Sequence, residues 1–353
     1  MPASERTART TPAKEPGLNP PQASLLEADS HRDGGGKRYR PGSVELLAAL
    51  LLTAVLLKTP LTDRLDQPAL KAWATVFVSI IFQALPFLGF GVLLSAVIAV
   101  FVPRDFFNRA LPKRPSLAVP VAGVAGVALP GCECAAVPIA GGLIRRGVAP
   151  SAALTFLLAA PAVNPIVLAA TAMAFPGQPE MVWARFLASA LASVCIGWLW
   201  LKLGKSEWIA LPRQSDLDGM PRIVALATSV RHDVIHAGGF LVIGGTAAAI
   251  LNVTLPPEWL QNLADQPVLA VVALGLLAVL LSICSEADAF VAASLNQFSP
   301  TARLAFLVVG PMIDLKLFAM QAGTFGRGFA LRFAPATFVV AVLVSAVVGL
   351  ALF

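Results

Sequence analysis

The sequence predicts an all-α polytopic membrane protein made of two inverted-topology repeats, with discontinuous helices and re-entrant hairpins. Three observations lead there. The chain is 57% hydrophobic and only 13% charged, with a mean hydropathy of +0.77, a balance outside the range of soluble globular domains. Its apolar runs are broken by polar clusters, first at Pro130-Gly131-Cys132-Glu133-Cys134 and again at Cys284-Ser285-Glu286-Ala287-Asp288. The second half also repeats the first at a nearly constant offset.

Residues 1–42 are rich in Pro, Ser, Glu and Arg and include Gly34-Gly35-Gly36. They offer too little apolar surface to offset chain entropy and read as a disordered cytoplasmic tail. His31 within them reads as solvated. No apolar h-region precedes residue 44, so no signal peptide is expected. Lys37, Arg38 and Arg40 stand directly before the first apolar segment, which places the N-terminus in the cytoplasm by the positive-inside rule.

The N-terminal membrane repeat is read over residues 43–203, with an extra first helix from about Val44 to Leu57. A longer segment follows from about Ala72 to Val102, with Pro86 near its middle. The next loop carries Arg104, Arg109, Lys113 and Arg114 and is therefore cytoplasmic. Leu117 to Ile144 holds the Cys-Glu-Cys break at its centre and ends on Arg145-Arg146. A hairpin that enters and leaves on the cytoplasmic side keeps both basic loops inside, whereas one crossing helix would not. Ala152 to Phe175 contains Pro161-Ala162-Val163-Asn164-Pro165, where two prolines disturb successive turns and release carbonyls. Asn164 reads either as a ligand group or as the cap of the broken helix. Met181 to Leu203 reads as plain lipid-facing sequence, with Cys195 as a packing residue.

Residues 204–233 are mixed in charge, including Pro212, Asp216, Asp218 and Pro221, and read as a cytoplasmic linker. His232 and His236 are one helical turn apart and read as an interface pair, since no third ligand is close in sequence. The C-terminal repeat, residues 234–353, comprises a segment from about Val234 to Leu255, an apolar run from Val268 into the Cys284 break, a broken segment from Leu304 to Gly323, and a last span from Phe333 to Phe353.

Phe156-Leu157-Leu158-Ala159-Ala160-Pro161 and Phe306-Leu307-Val308-Val309-Gly310-Pro311 align without gaps, 150 residues apart. At that offset Pro150 meets Pro300 and Asn164 meets Asp314. Two residues more brings Cys132 onto Cys284 and Cys134 onto Glu286. The loop before the first hairpin is basic, while its equivalent, Pro256 to Gln266, has no Lys or Arg. The loop after Phe175 lacks them too, while its equivalent carries Arg327 and Arg332. Opposite charge bias in equivalent loops implies opposite topology, a common build of secondary transporters with midplane sites.

If the hairpin tips meet, Cys132, Cys134 and Cys284 converge, with Glu133, Glu286 and Asp288 alongside. Soft thiolates select soft ions, and three sulfurs suit the pyramidal preference of trivalent arsenic. The competing reading is that small cysteines let helices approach closely. Asp314 and Lys316 lie at membrane depth, where charge lines a path, relays protons or forms a structural pair. On a regular helix they would face different sides, with Glu286 or Asp288 pairing with Lys316. Asp314, Lys316 and Glu286 are thus the proton- or ion-coupling candidates, and Cys132, Glu133, Cys134, Asn164, Cys284, Glu286 and Asp288 the substrate-binding ones. No HExxH, Gly-x-Ser-x-Gly or Walker pattern occurs, which argues against a hydrolase or a built-in ATPase. A non-enzyme is expected, with no catalytic residues, no cofactor and no resident metal. A membrane-embedded thiol protein for redox or sulfur transfer through Cys132 and Cys134 is the alternative, and a partner-scaffolding subunit a third reading.

The Cys-containing break at 131–138, Phe156 to Pro165, Cys284 to Ser294 and Leu304 to Lys316 resemble the ArsP-like (YraQ-type) predicted permease family over nearly all of residues 72–353. The resemblance implies a permease of the cell membrane. Characterised members export trivalent organoarsenicals such as methylarsenite, so it also implies efflux and arsenic resistance. The expected partners are the lipid bilayer and a small-molecule or metalloid substrate, with no nucleic acid; self-association into a homo-oligomer stays open.

Overall fold

The computed structural model describes residues 68–353, apart from 104–105, 108, 110, 113, 129–131, 212–220 and 255–265. The expected tail, the expected first segment (Val44 to Leu57), Pro130-Gly131 and the middle of the expected linker lie outside the described residues.

All regular elements among the described residues are helical. They are α1 (Pro68–Phe101), α2 (Pro115–Val127), α3 (Glu133–Arg145), α4 (Pro150–Val163), α5 (Pro165–Ala174) and α6 (Pro179–Leu203). A 3₁₀ turn (Ser206–Trp208) is followed by α7 (Arg222–Thr254), α8 (Pro267–Leu281), α9 (Asp288–Ser294), α10 (Pro300–Met312), α11 (Leu315–Phe325) and α12 (Arg327–Leu352). Proline opens α2, α4, α5, α6, α8 and α10. At a first helical position its missing N–H leaves no intrahelical bond unmade. Pro86 inside α1 does not end that helix. α7 starts at Arg222, so part of the stretch read as linker is helical.

Six spans among the described residues are long and apolar enough to cross a bilayer, counting α4–α5 and α10–α11 as one each. The chain is a multi-pass membrane protein. The α4–α5 and α10–α11 pairs have 78% and 83% of their most apolar window buried, against 28% to 39% for the other four. The two broken helices therefore form the interior, and the unbroken ones turn apolar faces outward, as Phe82 on α1 and Leu343 on α12 do.

α2 and α3 have 13 residues each. At 1.5 Å per residue each reaches about 20 Å, short of the ~30 Å hydrocarbon core. Pro112, Pro115 and Ala118 share one cavity with Gly147, Val148 and Ala149, so the hairpin begins and ends at the same end of the bundle. α1 and α7, the first long helix of each half, pack antiparallel. Phe77, Ile80 and Ile81 surround Gly245, Leu88 lies by Gly238, and Ser95 bonds Asp233. Two glycines bring these outer helices onto the interior. A Cβ at Gly91 would stand 2.5 Å from Ala135 Cα, and one at Gly244 2.5 Å from Lys316 Cα. Those are backbone contacts that no larger residue allows without a shift.

Candidate functional site

The site is assembled where the helices stop. α4 ends at Val163, and Asn164 turns extended (ψ 155°). Its Oδ1 then accepts from Val167 N at 3.0 Å and its Nδ2 donates to Ala160 O at 3.0 Å. Asp314 does the same in the second half: the backbone is extended, and Oδ1 accepts from Leu317 N at 2.6 Å. The pair aligned in sequence thus has one structural role, the cap of a restarted helix. Of the two readings of Asn164, the structure displays the cap.

α8 ends on Ser282, which adopts the left-handed region (φ 49°). The chain then turns through Cys284, whose carbonyl accepts from Ala287 N and Asp288 N at 2.9 and 3.0 Å. Cys132 is extended immediately before α3, leaving Glu133 and Cys134 in its first turn. These two breaks meet. Cys132 Sγ, Cys284 Sγ and a Glu133 carboxylate oxygen all lie within 4.8 Å of one another, and the Cys134 thiol neighbours that of Cys132. All three cysteines are free and buried, while Cys195 is half-buried on α6 and outside the cluster.

The charges pair differently from the expectation. Lys316 Nζ lies 2.7 Å from Glu133 Oε1 and 3.4 Å from Asp314 Oδ2, and donates to Ser282 O at 3.0 Å. Neither Glu286 nor Asp288 is its ion partner. The reason is the break itself: Asp314 precedes α11 rather than lying on it, so Lys316 can fold back toward it and still reach α3. Asp288 instead binds Arg185 on α6 at 2.8 Å. Arg185 is fully buried and also donates to Thr171 Oγ1 at 2.7 Å and Ser285 O at 3.1 Å. α6 is thus not plain lipid-facing sequence. Glu286 is half-buried, near both cationic centres.

Arg185 is the residue that sequence reasoning missed. Its signal was present, a lone cation in an apolar run, the same feature that singled out Lys316. A second overlooked group joins α1, α3 and α7: Asp233 Oδ2 is 3.3 Å from Arg145 Nη2 and 3.3 Å from Ser95 Oγ, and Asp233 Oδ1 is 3.2 Å from His232 Nδ1. The His232 and His236 rings lie with centroids 5.4 Å apart, tilted by 34° to each other.

The three thiols offer soft donors with no solvent competing for them. Glu133, Asp314 and Lys316 give a buried carboxylate–ammonium–carboxylate group next to them. Such an arrangement can bind a soft electrophile and hold or pass a proton.

The family model described as "Predicted permease" (ArsP_1) matches residues 69–350. The chain is 32% identical over 278 residues to "UPF0718 protein YcgR" of Bacillus subtilis (strain 168), covering 77% of this chain and 94% of that protein. It is also 32% identical over 283 residues to a Streptococcus mutans serotype c protein named "Putative two-component membrane permease complex subunit", covering 78% and 94%. No solved structure matches the chain. The matched region holds nearly all of the described membrane helices and both polar breaks, and the chain belongs to the ArsP_1 family of predicted permeases and is a membrane transporter.

Proposed function

We propose that this permease is a secondary transporter of the cytoplasmic membrane that exports a soft small solute, such as a trivalent (organo)arsenical, through a midplane site of thiols and carboxylates. The observation that carries this reading is the buried meeting of Cys132, Cys134 and Cys284 beside Glu133. A monosubstituted arsenic(III) dihydroxide exchanges its two hydroxyls for two thiols. Each thiol proton leaves with a hydroxyl as water, so no charge is left in the low-dielectric interior. The third thiol gives the arsenic a neighbouring sulfur to exchange onto as it moves.

The two halves have opposite orientation in this reading, with the N-terminus cytoplasmic. The antiparallel packing of α1 on α7 supports it, as do the opposite loop charges. The short α2–α3 hairpin is re-entrant, and Cys132 and Glu133 at the start of α3 meet the Cys284 break near mid-bilayer. Asp314, Lys316 and Glu286 are the proton-coupling groups, Lys316 being shared between Glu133 and Asp314. Asn164 and Asp288 serve the site from outside the thiol cluster, by capping α5 and by anchoring the second break. The name of the Streptococcus relative supports a working unit that includes a second polypeptide.

Expression in a metalloid-sensitive host tests the reading. Protection against methylarsenite is expected from the parent and from Cys195→Ser, and is expected to disappear in Cys132→Ser, Cys134→Ser and Cys284→Ser. Protection retained in all three would remove the thiols from the mechanism.

A further inference from the structure

We propose that Arg185 is a positioning residue for the Cys284 thiol, acting across the two halves. The proposal rests on the reading of the thiols as substrate ligands, but its geometry stands apart from any cargo. Cys284 lies in a segment with no continuous helix to hold it, between the end of α8 at Leu281 and the start of α9 at Asp288. That segment is fastened on either side of Cys284 by a buried cation. Before it, Lys316 Nζ binds the Ser282 carbonyl at 3.0 Å, and Leu315 N donates to Ser282 Oγ at 3.1 Å. After it, Arg185 Nη2 binds the Ser285 carbonyl at 3.1 Å and the Asp288 carboxylate at 2.8 Å.

The two fasteners have different origins. Lys316 belongs to the same half as Cys284, while Arg185 comes from α6 of the other half. Arg185 is itself fixed from a third direction by Thr171 on α5, at 2.7 Å. A guanidinium suits the task because its planar fork serves two acceptors on one partner segment and a third behind it. A lysine would reach the carboxylate as a point charge but would not hold all three. Cys132 and Cys134 belong to the half that supplies Arg185. The Arg185–Ser285–Asp288 contact therefore ties the Cys284 thiol to the half that carries the other two.

The same contact explains why a fully buried arginine sits among the apolar residues of a membrane helix. Its one carboxylate partner comes from a segment that would otherwise expose an unpaired charge to the interior. It also gives the two breaks a reciprocal arrangement. Glu133 in the first break is paired by Lys316 of the second half, and Asp288 in the second break by Arg185 of the first.

The test is oxidative cross-linking in the full-length chain carrying Cys134→Ser and Cys195→Ser, which leaves Cys132 and Cys284 as the reporting pair. Membranes are treated with copper phenanthroline, and disulfide yield is followed with time by mass spectrometry. Arg185→Ala alone strands Asp288, so the decisive variant is Arg185→Ala with Asp288→Ala, which removes tether and counter-charge together. In protein that elutes as a single species in detergent, the double variant is expected to cross-link at least tenfold more slowly, and Arg185→Lys to give an intermediate rate. The lipid-facing Leu191→Ala is expected to match the parent. A folded double variant that cross-links at the parental rate would overturn the positioning role. A parent that forms no disulfide would overturn the thiol proximity on which the proposal stands. Cross-linking dependent on Arg185 together with no metalloid protection would instead retain the positioning role and reject the cargo reading.

Discussion

Lys316 Nζ stands 2.7 Å from Glu133 Oε1, and this pair joins α11 of the second half to the first turn of α3 in the first. Both side chains are almost completely buried. Removing one member of a buried pair leaves an uncompensated charge, at about 3–5 kcal/mol. Lys316→Gln is therefore expected to lower thermal stability in detergent sharply, and Glu133→Gln with Lys316→Gln to lose less than Lys316→Gln alone. A loss in the double variant equal to the sum of the two single losses would show that the two residues are not coupled.

Asp314 caps α11 and, in the proposed reading, carries a proton, two tasks that substitution separates. Asp314→Asn keeps an oxygen to accept from Leu317 N, so α11 stays capped and the protein is expected to fold. Asp314→Ala loses the cap as well, a further ~1 kcal/mol. In proteoliposomes, transport by Asp314→Asn is expected to lose its response to an imposed pH gradient. Coupling unchanged from the parent would eliminate Asp314 as proton carrier.

Gly244 seats α7 on α11 at the backbone of Lys316. Gly244→Ala is expected to destabilise by about 1–3 kcal/mol through overpacking and to reduce transport by displacing Lys316. A methyl added at Gly239, on the same helix, would meet nothing within 4 Å, and Gly239→Ala is expected to be neutral or stabilising by about 0.5–1 kcal/mol. Similar effects of the two changes on melting temperature would remove the close approach as the cause.

Arg146 and Asn296 lie at the 150-residue offset that aligns the two halves, each in a turn after a polar break. Single cysteines placed there are expected to react with an impermeant maleimide from opposite sides of the membrane. Labelling from one side would reject the inverted arrangement and leave the charge bias of the loops without its explanation.

The polar breaks, the helical class and the equivalence of Asn164 with Asp314 were legible in the sequence because each is a local effect. Proline, glycine and a capping side chain act within a turn or two of chain. That the two Cys-containing breaks meet was expected from the sequence, and Cys132 and Cys284 do lie together. The charge partners were not. Lys316 had several carboxylates to choose from, and its choice of Glu133 depends on Gly244 pressing α11 inward and on a break that lets Asp314 lie beside it. The importance of Arg185 depends on Ser285 and Asp288 arriving from the other half, which helical periodicity within α6 does not encode. Asp233, read as the end of a linker, gained its contacts with Ser95 and Arg145 only through the packing of α7 against α1 and the end of α3.

Saturable uptake of methylarsenite into everted membrane vesicles measures the central claim most directly. The account predicts accumulation by the parent and by Cys195→Ser, and at least a tenfold drop in initial rate for each of Cys132→Ser, Cys134→Ser and Cys284→Ser at equal protein in the membrane. Undiminished uptake by those three variants would contradict it.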